Sequence, residues 1–373
     1  MFVCGKLPAV LESGPMNNQT SPRPRRTSIR LWRKNKSFIY NLHPPRIPAA
    51  GARFSYTLGM GGLAVLATVI TILSGVLLMF YYVPTVEQAH PSLTYIDSVV
   101  AFGRLLRSLH FWAGQMLLLV ALVHVARIVF TGGYRPPRDF NWLIGLGLLV
   151  ILLLWNFTGY TLRWDADSIW ALLVGTNLLK VVPQIGDRLY KIVVGDVTLG
   201  AAALLRFYAW HIFGLTLFGV TGIGYHIWRI RVDGGISHPV PQPGQPREYI
   251  SRETLFFREI ITALVATAGL LVLAALAPPA LGPQADLSAA GVSEVKAPWF
   301  FLAVQEMLRV ISPLWAGWLI PLGALILLAL IPLLDRRGPG RGRWFARERW
   351  QVQALFGVIA LAALALTVVG ALR

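Results

Sequence analysis

The sequence predicts an all-α polytopic membrane protein. Seven transmembrane helices are expected, the first four bundled around stacked metal macrocycles and three more forming the C-terminal part. Three observations predict this. Hydrophobic residues make up 55% of the chain and charged ones 14%, against about 25% charged in soluble domains. Seven apolar runs each approach the roughly 20 residues that cross a bilayer. Two of those runs carry histidines in matched pairs, His110 with His124 and His211 with His226.

Residues 1–37 form a basic arm containing Arg23, Arg25, Arg26, Arg30, Arg33, Lys34 and Lys36. It lacks the apolar core of a signal peptide and reads as a topology signal lying on anionic lipid. His43 follows as a lone surface histidine. The spans are expected at 59–82, 108–130, 140–160, 206–230, 258–278, 314–334 and 351–371. With the arm inside, the even-numbered spans deliver Arg135 and Arg138, then Arg231, Arg247 and Arg252, then Arg336 to Arg349 to inside loops. That is the distribution the positive-inside rule requires. The net charge of +17 therefore belongs to membrane topology, and nucleic acid is excluded as a partner. Cys4 is the lone cysteine, which rules out an internal disulfide framework or a cysteine-ligated cluster. The chain divides into the arm, a four-helix unit at 38–235 and a three-helix unit at 236–373.

The histidine steps are 14 residues in the second span and 15 in the fourth. Four helical turns take about 14.4 residues, so each span carries its two imidazoles near one face, roughly 20 Å apart along the axis. One crossing separates these two spans, so they run parallel. His110 thus meets His211 at the outer level and His124 meets His226 at the inner level. Imidazole inside hydrocarbon is costly and marks function, and its nitrogen is a common axial ligand of haem iron. Two such ligands leave no open position for oxygen, which points to electron transfer through two bis-histidine haems. A hydrogen-bonded interhelix contact is the alternative for any one histidine; two level pairs weigh against it.

Gly61 and Gly75 in the first span repeat the 14-residue step, as do Gly145 and Gly159 in the third. They are expected to clear the macrocycle edges, close helix packing through small residues being the other reading. Arg107 and Arg206 stand at the outer rim, Arg127 and Arg229 at the inner one, where guanidinium groups suit haem propionates.

The stretches RSLHFWAGQMLLLVALVHVARI, FTGYTLRWD and RFYAWHIFGLTLFGVTGIGYHIW resemble the cytochrome b subunit of Rieske/cytochrome b complexes, and the 15-residue step is similar to the cytochrome b6 type. The part running AALAPPALGPQADLSAAGVSEVKAPWFFLAVQEMLRVISP is similar to the separate three-helix subunit of plastoquinol-oxidising complexes, here fused to the haem unit. The resemblance implies that both haems are haem b, in a quinol:cytochrome c, or other soluble acceptor, oxidoreductase that moves protons. Its partners would be a Rieske iron–sulfur protein, a c-type cytochrome and membrane lipid. A homodimeric complex is implied, in a bacterial-type cytoplasmic inner membrane with the N-terminus on the cytoplasmic side. It further implies an outer quinol site around Gly159, Tyr160, residues 175–186 and the run Ala297 to Phe301, with Trp299 and Phe300 in the loop. Asp233, Arg231 and Arg336 are candidates for an inner quinone site.

Two departures bear on that carry-over. The family's Pro-Glu-Trp-Tyr reads Ala297-Pro298-Trp299-Phe300 here, so Glu306, with Glu294 also near in sequence, becomes the candidate proton acceptor. Arg163 replaces a proline and is expected to add positive charge beside the outer site, which makes a low-potential quinol such as menaquinol plausible. Gly59 stands where the b6 type attaches a further haem through cysteine, so no covalent haem is expected. Two other functions fit parts of the pattern: a dihaem anchor for another quinone-linked dehydrogenase or reductase, and a haem-free transporter or scaffold.

Overall fold

The computed structural model describes residues 45–239, 246–286, 295–336 and 338–373. The basic arm, Cys4, His43 and Glu294 lie outside them. Seven helices are long and apolar enough to cross a membrane. In chain order the helices are α1 (Met60–Met79), α2 (Ala89–Ser98), α3 (Gly103–Thr131), α4 (Asp139–Thr161), α5 (Ala166–Lys180), α6 (Gly186–Val194) and α7 (Ala201–Val232). Then come α8 (Arg252–Leu276), α9 (Leu302–Leu308), α10 (Trp315–Leu334) and α11 (Trp350–Leu372). The spans are α1, α3, α4, α7, α8, α10 and α11. Each overlaps its expected run, with ends shifted by a few residues.

The short helices α2, α5, α6 and α9 lie in the connections between spans. Helix α5 starts on a capping box: the Asp165 side chain accepts from Ser168 N, and the Ser168 hydroxyl accepts from Asp165 N. That satisfies two end donors at once. A two-stranded antiparallel ribbon, β1 (Arg46–Pro48) with β2 (Tyr249–Ser251), ties the entry to α1 to the start of α8.

Packing joins the two units. Val129, Tyr134, Trp142 and Leu146 share a buried cluster with Ile331, Val352 and Phe356. Above it, Arg135 and Tyr134 both donate to Asp335. Arg349, 2% exposed, donates to the carbonyls of Val129 and Phe130 in the last turn of α3, which also accept from Gly132 N and Phe345 N. Gly132 caps that end at φ +64°, and a β-carbon there would stand 2.8 Å from the Arg349 guanidinium. Only glycine suits both demands.

Candidate functional site

Helix α1 packs along α3 and α4 packs along α7, so the histidine faces of α3 and α7 are left turned toward each other. The ring centres of His110 and His211 are 6.2 Å apart, and those of His124 and His226 are 6.5 Å apart. The pairing by level expected from topology is the one observed. Two metal–imidazole bonds of about 2 Å, with a ring radius on each side, would fit within this separation.

Hydrogen bonds orient the outer pair. His110 Nδ1 lies 3.0 Å from Thr71 O and 3.1 Å from Ser74 Oγ. His211 Nδ1 lies 3.1 Å from both Trp155 O and Thr158 Oγ1. A carbonyl can only accept, so Nδ1 carries the proton and donates, which leaves the Nε2 lone pair for a metal. Three glycines meet these rings. A β-carbon would stand 3.0 Å from His110 Cε1 at Gly75, 2.6 Å from His211 Cε1 at Gly159 and 3.4 Å from His226 Cε1 at Gly145. These three glycines therefore leave room for the imidazoles themselves. Gly61 has nothing within 4 Å of its β-position among the described residues, so the space beside it is open.

The 15-residue step in α7 also has a physical reason. Residues Trp210–Gly214 form one π-helical turn, which takes in one residue more than an α-turn. His211 and His226 consequently keep the facing that 14 residues give in α3.

The rim arginines separate into two kinds. Arg107 is spent on other groups: its Nε and Nη2 donate to Asp97 at 2.6 and 2.5 Å, and Nη2 also donates to Pro279 O at 2.7 Å. Arg206 donates to Ile192 O in the outer loop. Both guanidinium groups thus have protein partners at the outer rim. Arg127, 4% exposed, lies 4.8 Å over the Tyr56 ring, and its Nε has no hydrogen-bond partner among the described residues. A buried guanidinium with a spare donor fits an anionic group, as a propionate is. Tyr56 donates to Ser237 O at 2.8 Å; burial raises its pKa, with Arg127 pulling the other way, so it stays a neutral neighbour. Arg229 is paired with Asp233 at 2.7 Å, and Asp233 also keeps an unpartnered Oδ2 among the described residues.

At the outer end Phe300 packs against the cluster of Ala67, Leu117, Leu118 and Leu152. Phe301 contacts Phe157 with ring centres 5.4 Å apart, one turn before Tyr160. Trp299 Nε1 donates to Gln115 Oε1 at 2.7 Å. The loop is thus brought onto α3 and α4. Arg163 lies 4.8 Å over the Tyr160 ring and is ion-paired with the fully buried Asp165, so its charge is compensated where a free positive charge was expected. Asp165 also accepts from Gly282 N at 3.0 Å, binding the start of α5 to the C-terminal unit.

Glu306 does not join this group. Glu306 is ion-paired with Arg309 Nε at 3.1 Å and accepts a hydrogen bond from Arg373 Nη1 at 3.1 Å, and a β-carbon on Gly370 would stand 3.1 Å from Glu306 Cγ. The side chain faces α11. Sequence reasoning also missed Gln115 and Asn156, whose amides bridge at 3.4 Å. The available signal was an amide in the middle of an apolar span, where it must find a partner.

Two family models match the chain: "Cytochrome b/b6/petB" over residues 48–234 and "Cytochrome b(C-terminal)/b6/petD" over residues 288–373. The cytochrome b subunit of the menaquinol:cytochrome c reductase of Geobacillus thermodenitrificans is 37% identical over 181 residues, covering 48% of this chain and 80% of that protein. Cytochrome b6 of Euglena gracilis is 36% identical over 181 residues, 48% of this chain and 84% of that one. A solved structure titled "Hyperthermophilic respiratory Complex III" has the same fold, with a TM-score of 0.73 at 22% identity over 93% of this chain and 89% of that one. With imidazole pairs on α3 and α7 and both modules present in one polypeptide, this chain belongs to the cytochrome b/b6 family.

Proposed function

We propose that the chain is the membrane electron-transfer subunit of a quinol:cytochrome c reductase or b6f-type complex, and the observation that carries this is the two facing imidazole pairs at ring-centre distances of 6.2 and 6.5 Å. His110 with His211 would hold one haem b and His124 with His226 a second. Bound there, the haems supply one-electron transfer along the bundle axis. The residues do the rest. Thr71 and Trp155 carbonyls hold the outer imidazoles with Nδ1 protonated, and Gly75, Gly145 and Gly159 leave room for the ring edges. Arg127 offers its spare donor to an anionic substituent at the inner level.

Tyr160, Trp299 and Phe300 would border the quinol headgroup at the outer end. The lining from Phe157 to Phe301 is aromatic and excludes water. Glu306, with both oxygens taken up by guanidinium groups, acts as a positioning residue that fixes α9 and the loop before it. Proton release outside, uptake near Asp233 and Arg231 inside, and a cytoplasmic N-terminus complete the reading. A Rieske protein and a c-type cytochrome are the partners it requires, and the complex would be a homodimer. The units at 38–235 and 236–373 would carry the haems and the loop respectively.

The test is purification of the complex with haem extraction and a quinol:cytochrome c assay. Two non-covalent haems b per chain with quinol-dependent cytochrome reduction are expected. One haem per chain, or reduction by a dehydrogenase module with no response to quinol, contradicts the proposal.

A further inference from the structure

Gln115 and Asn156 are amides inside apolar spans that the histidine pairs leave unused. Gln115 stands about 18 Å along α3 from Gly103, where no water replaces a lost partner. Trp299 Nε1 donates to Gln115 Oε1 at 2.7 Å, and Gln115 Nε2 reaches Asn156 Oδ1 at 3.4 Å. Asn156 Nδ2 in turn donates to Leu152 O at 3.0 Å. An indole N–H can only donate and a carbonyl can only accept, so the chain of bonds has one sense and orients both amides. It runs from the loop before α9 through α3 to α4. On its other side the loop is held by Gln305, which accepts from Ala297 N at 2.7 Å and donates to Val295 O at 2.9 Å.

We infer that Gln115 is the latch that docks the Trp299 loop on the four-helix unit, a positioning residue for the outer site; its part in turnover rests on the function proposed above. Three observations carry this. The loop reads Ala297-Pro298-Trp299-Phe300-Phe301, so the Trp299 indole is the one side-chain hydrogen-bonding group it possesses, and that group is spent on Gln115. The neighbouring contacts are apolar and therefore non-directional: Phe300 packs on the cluster of Leu117, Leu118 and Leu152, and Phe301 lies against Phe157. Such contacts hold the loop down but let it slide, whereas a hydrogen bond fixes its register. Finally, both amides belong to the same surface, since Gln115 precedes Met116 of the Phe300 cluster and Asn156 precedes Phe157. Gln115 thus fixes Trp299 and Phe300 against the helix that carries Tyr160.

Gln115→Met keeps the side chain's length and removes both hydrogen-bonding atoms, and Trp299→Phe removes the donor from the other side. Amide hydrogen exchange of residues 297–301 in the purified complex reads the docked population without substrate. Exchange there should speed about tenfold in either variant, the effect of one hydrogen bond lost away from water. The double variant should go no further, because both changes remove the same contact. The KM for quinol should rise by about the same factor with kcat held within about twofold, since undocking lowers the binding-competent fraction. Gln115→Glu, which keeps an acceptor at the same reach, should restore both readings. The reduced-minus-oxidised haem spectrum checks the folding of each variant. Unchanged exchange in variants with normal haem spectra overturns the latch, and so does a double variant whose effects add. Faster exchange with an unchanged KM overturns the positioning role and leaves a structural contact. A wild-type complex that oxidises no quinol overturns the function proposed above, while the exchange measurement still decides the latch.

Discussion

A β-carbon at Gly159 would approach His211 Cε1 to 2.6 Å, one at Gly75 would approach His110 Cε1 to 3.0 Å, and one at Gly145 would remain at 3.4 Å from His226. These distances rank three otherwise identical substitutions. Gly159→Ala should displace the outer imidazole, at an overpacking cost of about 1–3 kcal/mol, and lower outer-haem absorbance in the reduced-minus-oxidised spectrum. Gly75→Ala should do so more weakly, and Gly145→Ala should leave the inner haem in place. Equal loss at all three positions would show that clearance for the imidazoles is not what these glycines supply. Glu306 is the second residue whose surroundings decide its role. Its two guanidinium partners predict that Glu306→Gln lowers the melting temperature of the complex while leaving the shape of the pH profile of quinol oxidation unchanged; loss of an ionisation from that profile would restore it as a proton acceptor. The glycine repeat was legible in the sequence as a period, but not its object, because the period cannot say whether a ring or a macrocycle fills the space. The partners of Arg107 and Glu306 were not legible for a related reason: Asp97, Pro279, Arg309 and Arg373 reach them only through tertiary packing.

At the scale of elements, the spans were legible because apolar length is a one-dimensional property, and the pairing of α3 with α7 because one intervening crossing makes them parallel. The π-turn at Trp210–Gly214 was visible only as a 15-residue step without an explanation. It makes a prediction of its own. Deleting Phe213, which is 69% exposed on the outer surface of α7, should convert the π-turn to α-helix and give a 14-residue step with both haems retained. Inserting an alanine between residues 216 and 225 should instead rotate one histidine by about 100° and cost one haem. Haem content per chain reads both outcomes, and loss of haem in the deletion variant would mean that the turn does more than absorb a residue.

Across the whole molecule, the two units are held by polar ties as well as by the Val129–Phe356 cluster. Arg135 and Tyr134 converge on Asp335, and Arg349 reaches the carbonyls that end α3. Asp335→Ala would leave a buried arginine without its carboxylate, a change that typically costs about 3–5 kcal/mol. It should loosen α10 and α11 and appear as a lowered midpoint of thermal unfolding with the haem spectrum retained below it. The fusion of the units was readable from the sequence, but these ties were not, since they join residues some 200 positions apart. The central claim is the stacked pair of bis-histidine haems, and a spectroscopic redox titration of the wild-type complex beside His211→Ala tests it most directly. Two b-type components in the wild type, with only the inner one surviving in the variant, are the predicted result; a single component in the wild type, or loss of the inner one alone in the variant, would contradict it.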